Sequence, residues 1–258
     1  LAYMEMLETG FTRVGEFHYL HHNMDGTPFD DPAEMSAALC AAAADTGIAL
    51  TLLPVFYAHS GFGGQPPNAG QARFIHSVDG FARLLEACQP HLNRLPDAVL
   101  GIAPHSLRAV TPDELTALLP LCPDGPIHIH IAEQIREVEQ SVTHFGVRPV
   151  EWLMDNMPVD ARWCLVHATH MTEAETHALA ASGAIAGLCP ITEANLGDGV
   201  FPAETFLNAG GRIGIGSDSN VLISAAEELR LLEYSQRFVH KARNVLAAPL
   251  GSTGARLY

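Results

Sequence analysis

The sequence predicts an α/β fold of parallel strands, a (β/α)8 TIM-type barrel that lacks its first strand. Three observations predict it. Short apolar runs alternate with amphipathic, Ala/Leu-rich stretches along the 258 residues, the pattern of strands joined by crossover helices. Seven such runs can be counted, and a helical pattern over Ala2–Glu8 ahead of the first implies one strand more upstream. Each run closes on a histidine or a carboxylate, and a barrel gathers its functional residues at strand carboxyl ends. No G-x-G-x-x-G follows the first strand, so a doubly wound dinucleotide-binding sheet is the weaker alternative.

In chain order, strands are expected over residues 13–17, 48–56, 99–103, 127–132, 163–167, 184–188 and 212–216. Helices are expected over 32–44, 78–87, 112–119, 148–156, 172–181, 202–209 and 224–234, with a further helical run from Ile135. Thr111-Pro112, Thr172 and Asp31-Pro32 are start signals, and Gly47, Gly183 and Gly210-Gly211 stand where helices should stop. Two long polar or glycine-rich loops follow the first two strands, at 21–31 and 60–68. Loops of that length on a catalytic rim often cover a substrate, and an inert surface loop is the plain alternative. The whole of 1–258 is taken as one partial barrel, strands two to eight, with no second domain.

Composition limits the function. With 29 acidic against 14 basic residues the formal charge is −15, and no Lys/Arg cluster is present to neutralise phosphates, which argues against a nucleic-acid partner. Lys241 is the one lysine, so positive charge is almost all guanidinium, suited to binding carboxylates on a small anionic substrate. Five cysteines without a C-x-x-C pair indicate neither a disulfide framework nor a cysteine zinc site and fit a reducing cytoplasm. No apolar run is long enough to span a bilayer, so no membrane role is expected. The chain opens on Leu1 already in a helical pattern, and a fragment of a longer protein is expected.

The run Ile127-His128-Ile129-His130-Ile131-Ala132-Glu133-Gln134 organises the rest. Its isoleucines suit a buried strand face, its two imidazoles project from the other, and a carboxylate arrives where the apolar pattern stops. Hydrogen-bonded core histidines are the competing reading. The other strand ends carry Glu16-Phe17-His18-Tyr19, Pro104-His105-Ser106-Leu107-Arg108, His167-Ala168-Thr169-His170, Thr192-Glu193-Ala194-Asn195 and Gly216-Ser217-Asp218-Ser219. Taken together, in this order and over nearly the whole chain, these segments resemble the amidohydrolase superfamily. Within it they are most similar to the N-formimino-L-glutamate deiminases of histidine degradation.

The resemblance implies one zinc ion, or another divalent metal, with His130 and Asp218 as ligands. The family's two other ligands form an H-x-H pair on its first strand, which has no counterpart here; the adjacent His21-His22 cannot share a face and is no substitute. Glu133 is implied as the proton carrier and His167 as the active-site histidine. Tyr19, His105 and Arg108 are implied as substrate-binding residues, the guanidinium pairing with a carboxylate. For Glu133 the alternative is a solvated residue at a helix start, for Arg108 a surface salt bridge, and for Asp218 an N-cap of the 224–234 helix. His128 is expected in support, His170 at the surface, and Tyr57, His59, Glu193 and Asn195 as rim residues without assigned role. Asn220 stands where many relatives carry histidine. The implied reaction is hydrolytic deimination of N-formimino-L-glutamate to N-formyl-L-glutamate and ammonia, by a cytoplasmic homodimer. The competing functions are a guanine or S-adenosylhomocysteine deaminase of the same superfamily, and a catalytically incomplete fragment or binding scaffold.

Overall fold

The structure is a computed structural model that describes residues 1–258 throughout. The chain divides into two compact units, one of residues 1–7 and 12–129, the other of residues 8–11 and 130–258. In both, parallel strands alternate with helices, as the apolar periodicity predicts.

The first unit holds most of α1 (Ala2–Glu8), then β1 (Arg13–His18), α2 (Glu34–Thr46), β2 (Ala49–Phe56), α3 (Val78–Leu92), β3 (Val99–Leu100), β4 (Ala103–Pro104) and α4 (Pro112–Leu118). β2 is the central strand, paired in parallel with β1 over six residues and with β3 and β4 on its other side. Its Leu50, Leu52, Leu53, Val55 and Phe56 are all buried, which is why the run reads as continuously apolar. α2 ends on Gly47 in the left-handed conformation and α4 begins with a Thr111/Glu114 capping box. The strand expected over 99–103 is broken in two. At Gly101 a Cβ would meet the Pro126 carbonyl oxygen at 2.5 Å, so the chain passes close to Pro126 there. Ile102 bridges to Ile127 before β4 rejoins β2.

β5 (Ile127–Ile131) begins in the first unit and ends in the second. The second unit continues with α5 (Ile135–Phe145), α6 (Pro149–Asn156), β6 (Trp163–His167), α7 (Glu173–Ser182), β7 (Ile185–Leu188), α8 (Pro190–Leu196), α9 (Ala203–Asn208), β8 (Arg212–Ile215), α10 (Ala225–His240) and α11 (Thr253–Leu257). The sheet order is β5-β6-β7-β8. Trp163, Leu165, Ala186 and Leu188 are fully buried and form its core with Phe201 and Phe206. Two helices are additions to the sequence reading. α8 lies where only a strand end was read, although Pro190 at its start and left-handed Gly197 at its end are ordinary helix signals. α11 is too short to show a period. α10 runs two turns further than expected, to His240.

No helix is long and apolar enough to cross a membrane.

Candidate active site

In the second unit the carboxyl ends of β5, β6 and β8 carry His130, His167 and Asp218. The β5 pattern is as expected, with Ile127, Ile129 and Ile131 fully buried and both histidines less so. His130 stacks on His167 with ring centroids 5.3 Å apart and planes 26° from parallel. His167 is buried between two carboxylates: Nδ1 lies 3.2 Å from Glu193 Oε1, and Nε2 3.7 Å from Glu133 Oε1. Burial alone would favour the neutral ring. The Glu193 hydrogen bond and the charges of Glu133, Glu193 and Asp218 outweigh it and hold the pKa above its ordinary value. Asp218 is pushed up as well, first by burial and then by Glu193 and Asp198, against the opposing pull of His167.

The backbone that presents these groups is unusual. Ala132, His167, Ala168, Asp218 and Asn220 all adopt positive φ between 47° and 68°. For residues with a Cβ this conformation costs on the order of 1 kcal/mol each, and it persists only where the surroundings enforce it. The enforcing contacts are visible. Glu137, buried on the first turn of α5, accepts hydrogen bonds from the Ala132 and Glu133 amides at 3.1 and 3.2 Å. The Ala168 and His170 amides donate to the carbonyls of Ile131 and Ala132. Glu193 also accepts from the Cys189 amide at 2.9 Å. Around Asp218, Ser217 Oγ donates to Asn220 Oδ1 and the Ser219 hydroxyl bonds Thr192 Oγ1. Asn220 is therefore part of the turn that presents Asp218.

Glu137, which the sequence does not single out, and Glu193, expected only as a rim residue without assigned role, both hold this candidate site together. Nothing in their spacing marks them, since each acts on backbone four residues away or on a distant imidazole. His170 corrects an expectation: it is partly buried, and its Nε2 bonds the Asp198 carbonyl at 2.7 Å while its own carbonyl accepts from Arg148. The alternative for Asp218 falls away, because Ser224 caps α10.

The first unit brings Tyr19, His105 and Arg108 together. Tyr19 follows β1, His105 follows β4, and their rings meet edge to face at 5.8 Å. His105 Nδ1 lies 3.0 Å from Ser106 Oγ. Burial, with the Arg108 charge behind it, pulls His105 down to about 3, so its ring is neutral near pH 7. His128 supports this unit from below, with Cε1 3.7 Å from where a Cβ on Gly15 would stand.

A family model described as Amidohydrolase family matches residues 1–250. The chain belongs to the amidohydrolase family. It is 54% identical over 95% of its length to the formimidoylglutamate deiminase of Pseudomonas aeruginosa, of which it covers 54%. It is 34% identical over 50% of its length to the 5-methylthioadenosine/S-adenosylhomocysteine deaminase of Natronomonas pharaonis, covering 31% of that protein. Among solved structures, an amidohydrolase from Brucella melitensis matches with a TM-score of 0.98 and 63% identity, over 99% of this chain and 57% of that one. An adenosine deaminase from Xanthomonas campestris with bound zinc shares the fold at a TM-score of 0.75 and 24% identity, over 98% of this chain and 54% of that one. This amidohydrolase chain thus spans about half the length of the relatives it matches.

The family implies a metal, and the residues present fit it in kind but not in number. His130 and Asp218 are the nitrogen and oxygen donors that zinc accepts. No group of three or more His, Cys, Asp or Glu side chains stands together in a metal-holding arrangement, so they are a partial donor set.

Proposed function

We propose that this amidohydrolase, on a (β/α)8 scaffold, catalyses metal-dependent hydrolytic deimination of N-formimino-L-glutamate to N-formyl-L-glutamate and ammonia. The observation that carries it is the 54% identity, over 95% of the chain, to a formimidoylglutamate deiminase. His130 and Asp218 would hold part of the shell of a zinc-type ion, which would supply acidification of water and polarisation of the carbon–nitrogen bond. The chain's own residues do the rest. Water adds to the formimino carbon, and Glu133 takes a proton from it and passes it to the terminal nitrogen. The hydroxyl of the adduct then gives up its proton, which Glu133 passes to the same nitrogen, the bond to that nitrogen breaks, ammonia leaves, and the carbonyl of the N-formyl product forms. His167, whose protonated form is favoured by Glu133, Glu193 and Asp218, stabilises the negative charge developing on oxygen. Arg108 takes a substrate carboxylate in a bidentate pair, and Tyr19 and His105 complete that contact. The enzyme works in the cytoplasm as a homodimer.

The test measures zinc content and ammonia release with N-formimino-L-glutamate, for this chain and for a protein of the relatives' full length. Turnover of that substrate in preference to S-adenosylhomocysteine and guanine is the expected result. Deamination of a purine with no action on the formimino compound overturns the reading. Absence of zinc from both proteins favours the binding scaffold.

A further inference from the structure

The segment from Asn68 to His76 straps the carboxyl ends of β1 and β2 together, and no role in the reaction above uses it. The His21 amide donates to the Arg73 carbonyl at 3.0 Å, and Arg73 Nε donates to the His22 carbonyl at 3.0 Å. The His76 amide donates to the Tyr57 carbonyl, and Tyr57 bridges to Ile75 in parallel fashion. A side-chain hydrogen bond joins the strap to Tyr57, which stands beside the substrate residues: Gln71 Nε2 donates to the Tyr57 hydroxyl at 2.7 Å. The other end of Gln71 is fixed, since its Oε1 accepts from the Asn68 amide at 2.8 Å in a capping box.

Tyr57 in turn bears directly on His105. Their ring centroids are 4.7 Å apart at 68°, closer than Tyr19 at 5.8 Å and Phe17 at 6.0 Å. Phe74, from the strap itself, packs edge-on against both Tyr19 (4.8 Å) and Tyr57 (5.8 Å). A neutral imidazole that must offer one ring nitrogen to a carboxylate works only if its plane is fixed, and edge-to-face rings fix planes.

Resting on the deiminase reading, we infer that Tyr57 is a positioning residue, held by Gln71, that sets the plane of His105 and thereby the affinity for the carboxylate-bearing end of the substrate. The relay acts on binding and leaves the hydrolytic step alone.

The experiment titrates N-formyl-L-glutamate into the full-length protein by calorimetry and measures KM and kcat with the formimino substrate, for the wild type, Tyr57→Phe, Gln71→Leu, their double variant and Gln71→Glu. Loss of one neutral hydrogen bond weakens binding by about 3- to 10-fold. Kd and KM should rise by that factor in each single variant and no further in the double, because the two residues act as one unit. kcat should stay within about twofold, as expected when only uniform binding is lost. Gln71→Glu restores the affinity, since a carboxylate accepts from the Tyr57 hydroxyl and still accepts from the Asn68 amide. Unchanged Kd in both single variants, additive losses in the double, or a fall in kcat with KM unchanged would each overturn the inference. A wild type that neither binds the formyl compound nor turns over the formimino compound refutes the underlying function instead, and the relay with it.

Discussion

In the proposed reaction Glu133 and Arg108 separate the chemical step from binding, and each can be tested alone. Glu133 reaches within 3.7 Å of His167 Nε2 from a turn whose amides are pinned by Glu137. Glu133→Gln keeps the size and removes the carboxylate proposed to carry the proton. kcat should fall by about 10²–10⁴-fold with KM changed only a few-fold, since general acid–base catalysis supplies a factor of that order. Steady-state ammonia release checks it. Arg108 sits beside an imidazole kept neutral, and its charge helps keep it so. Arg108→Lys replaces a planar fork with a point charge and should raise KM about 10- to 100-fold at nearly unchanged kcat. A kcat loss of the same size would place Arg108 in the chemical step. Because His105 stands at about 3, its ring stays neutral from pH 5 to 8 and contributes no inflection to KM over that range.

At the scale of elements, the site depends on how β5, β6 and β8 end. The β5–α5 turn shows it most directly: Ala132 takes φ 49°, and the buried Glu137 carboxylate accepts from both amides of the turn. Glu137→Ala leaves two N–H groups without their acceptor and should cost about 1–3 kcal/mol. It should also lower kcat by letting Glu133 wander; Glu137→Gln keeps one acceptor and should lie between. Thermal melts and kcat on the same samples read both effects. This turn also marks what a sequence can reveal. The sequence singles out His130, Glu133 and His167 because apolar runs end on or beside them, alternating in β5 and continuous in β6, and strand ends are where a parallel α/β fold does chemistry. It does not single out Glu137, because its carboxylate serves backbone amides four and five residues back, and no composition signal records that. Glu193 was read only as a rim residue, since its link to His167 spans 26 residues. The broken third strand was hidden for a similar reason: Gly101 is required by the close passage of Pro126, a contact made only in the fold.

For the molecule as a whole, the acidic balance of −15 has a local counterpart that makes stability depend on pH. Glu228, fully buried on the first turn of α10, accepts from the Ile191 amide at 2.9 Å through Oε2, while its Oε1 is buried without a partner. Burial pushes its pKa to about 7, the Ile191 hydrogen bond opposes this, and the nearby charges of Glu193 and Asp218 reinforce it. The native state therefore prefers the protonated acid. The unfolded chain ionises near 4.5, so Glu228 costs nothing below that pH. The penalty grows as pH rises from 4.5 to 7, and it is complete above 7. A shift of this size corresponds to at most about 3 kcal/mol. Glu228→Gln mimics the neutral acid and keeps an oxygen for the Ile191 amide. It should raise Tm clearly at pH 8 and leave it nearly unchanged at pH 5, with the difference appearing across the interval between. Melts of wild type and variant from pH 4.5 to 8.5 in the presence of a chelator test this directly. An equal Tm gain at every pH would assign the effect to packing, and no gain at pH 8 would show that the native carboxylate is ionised without penalty.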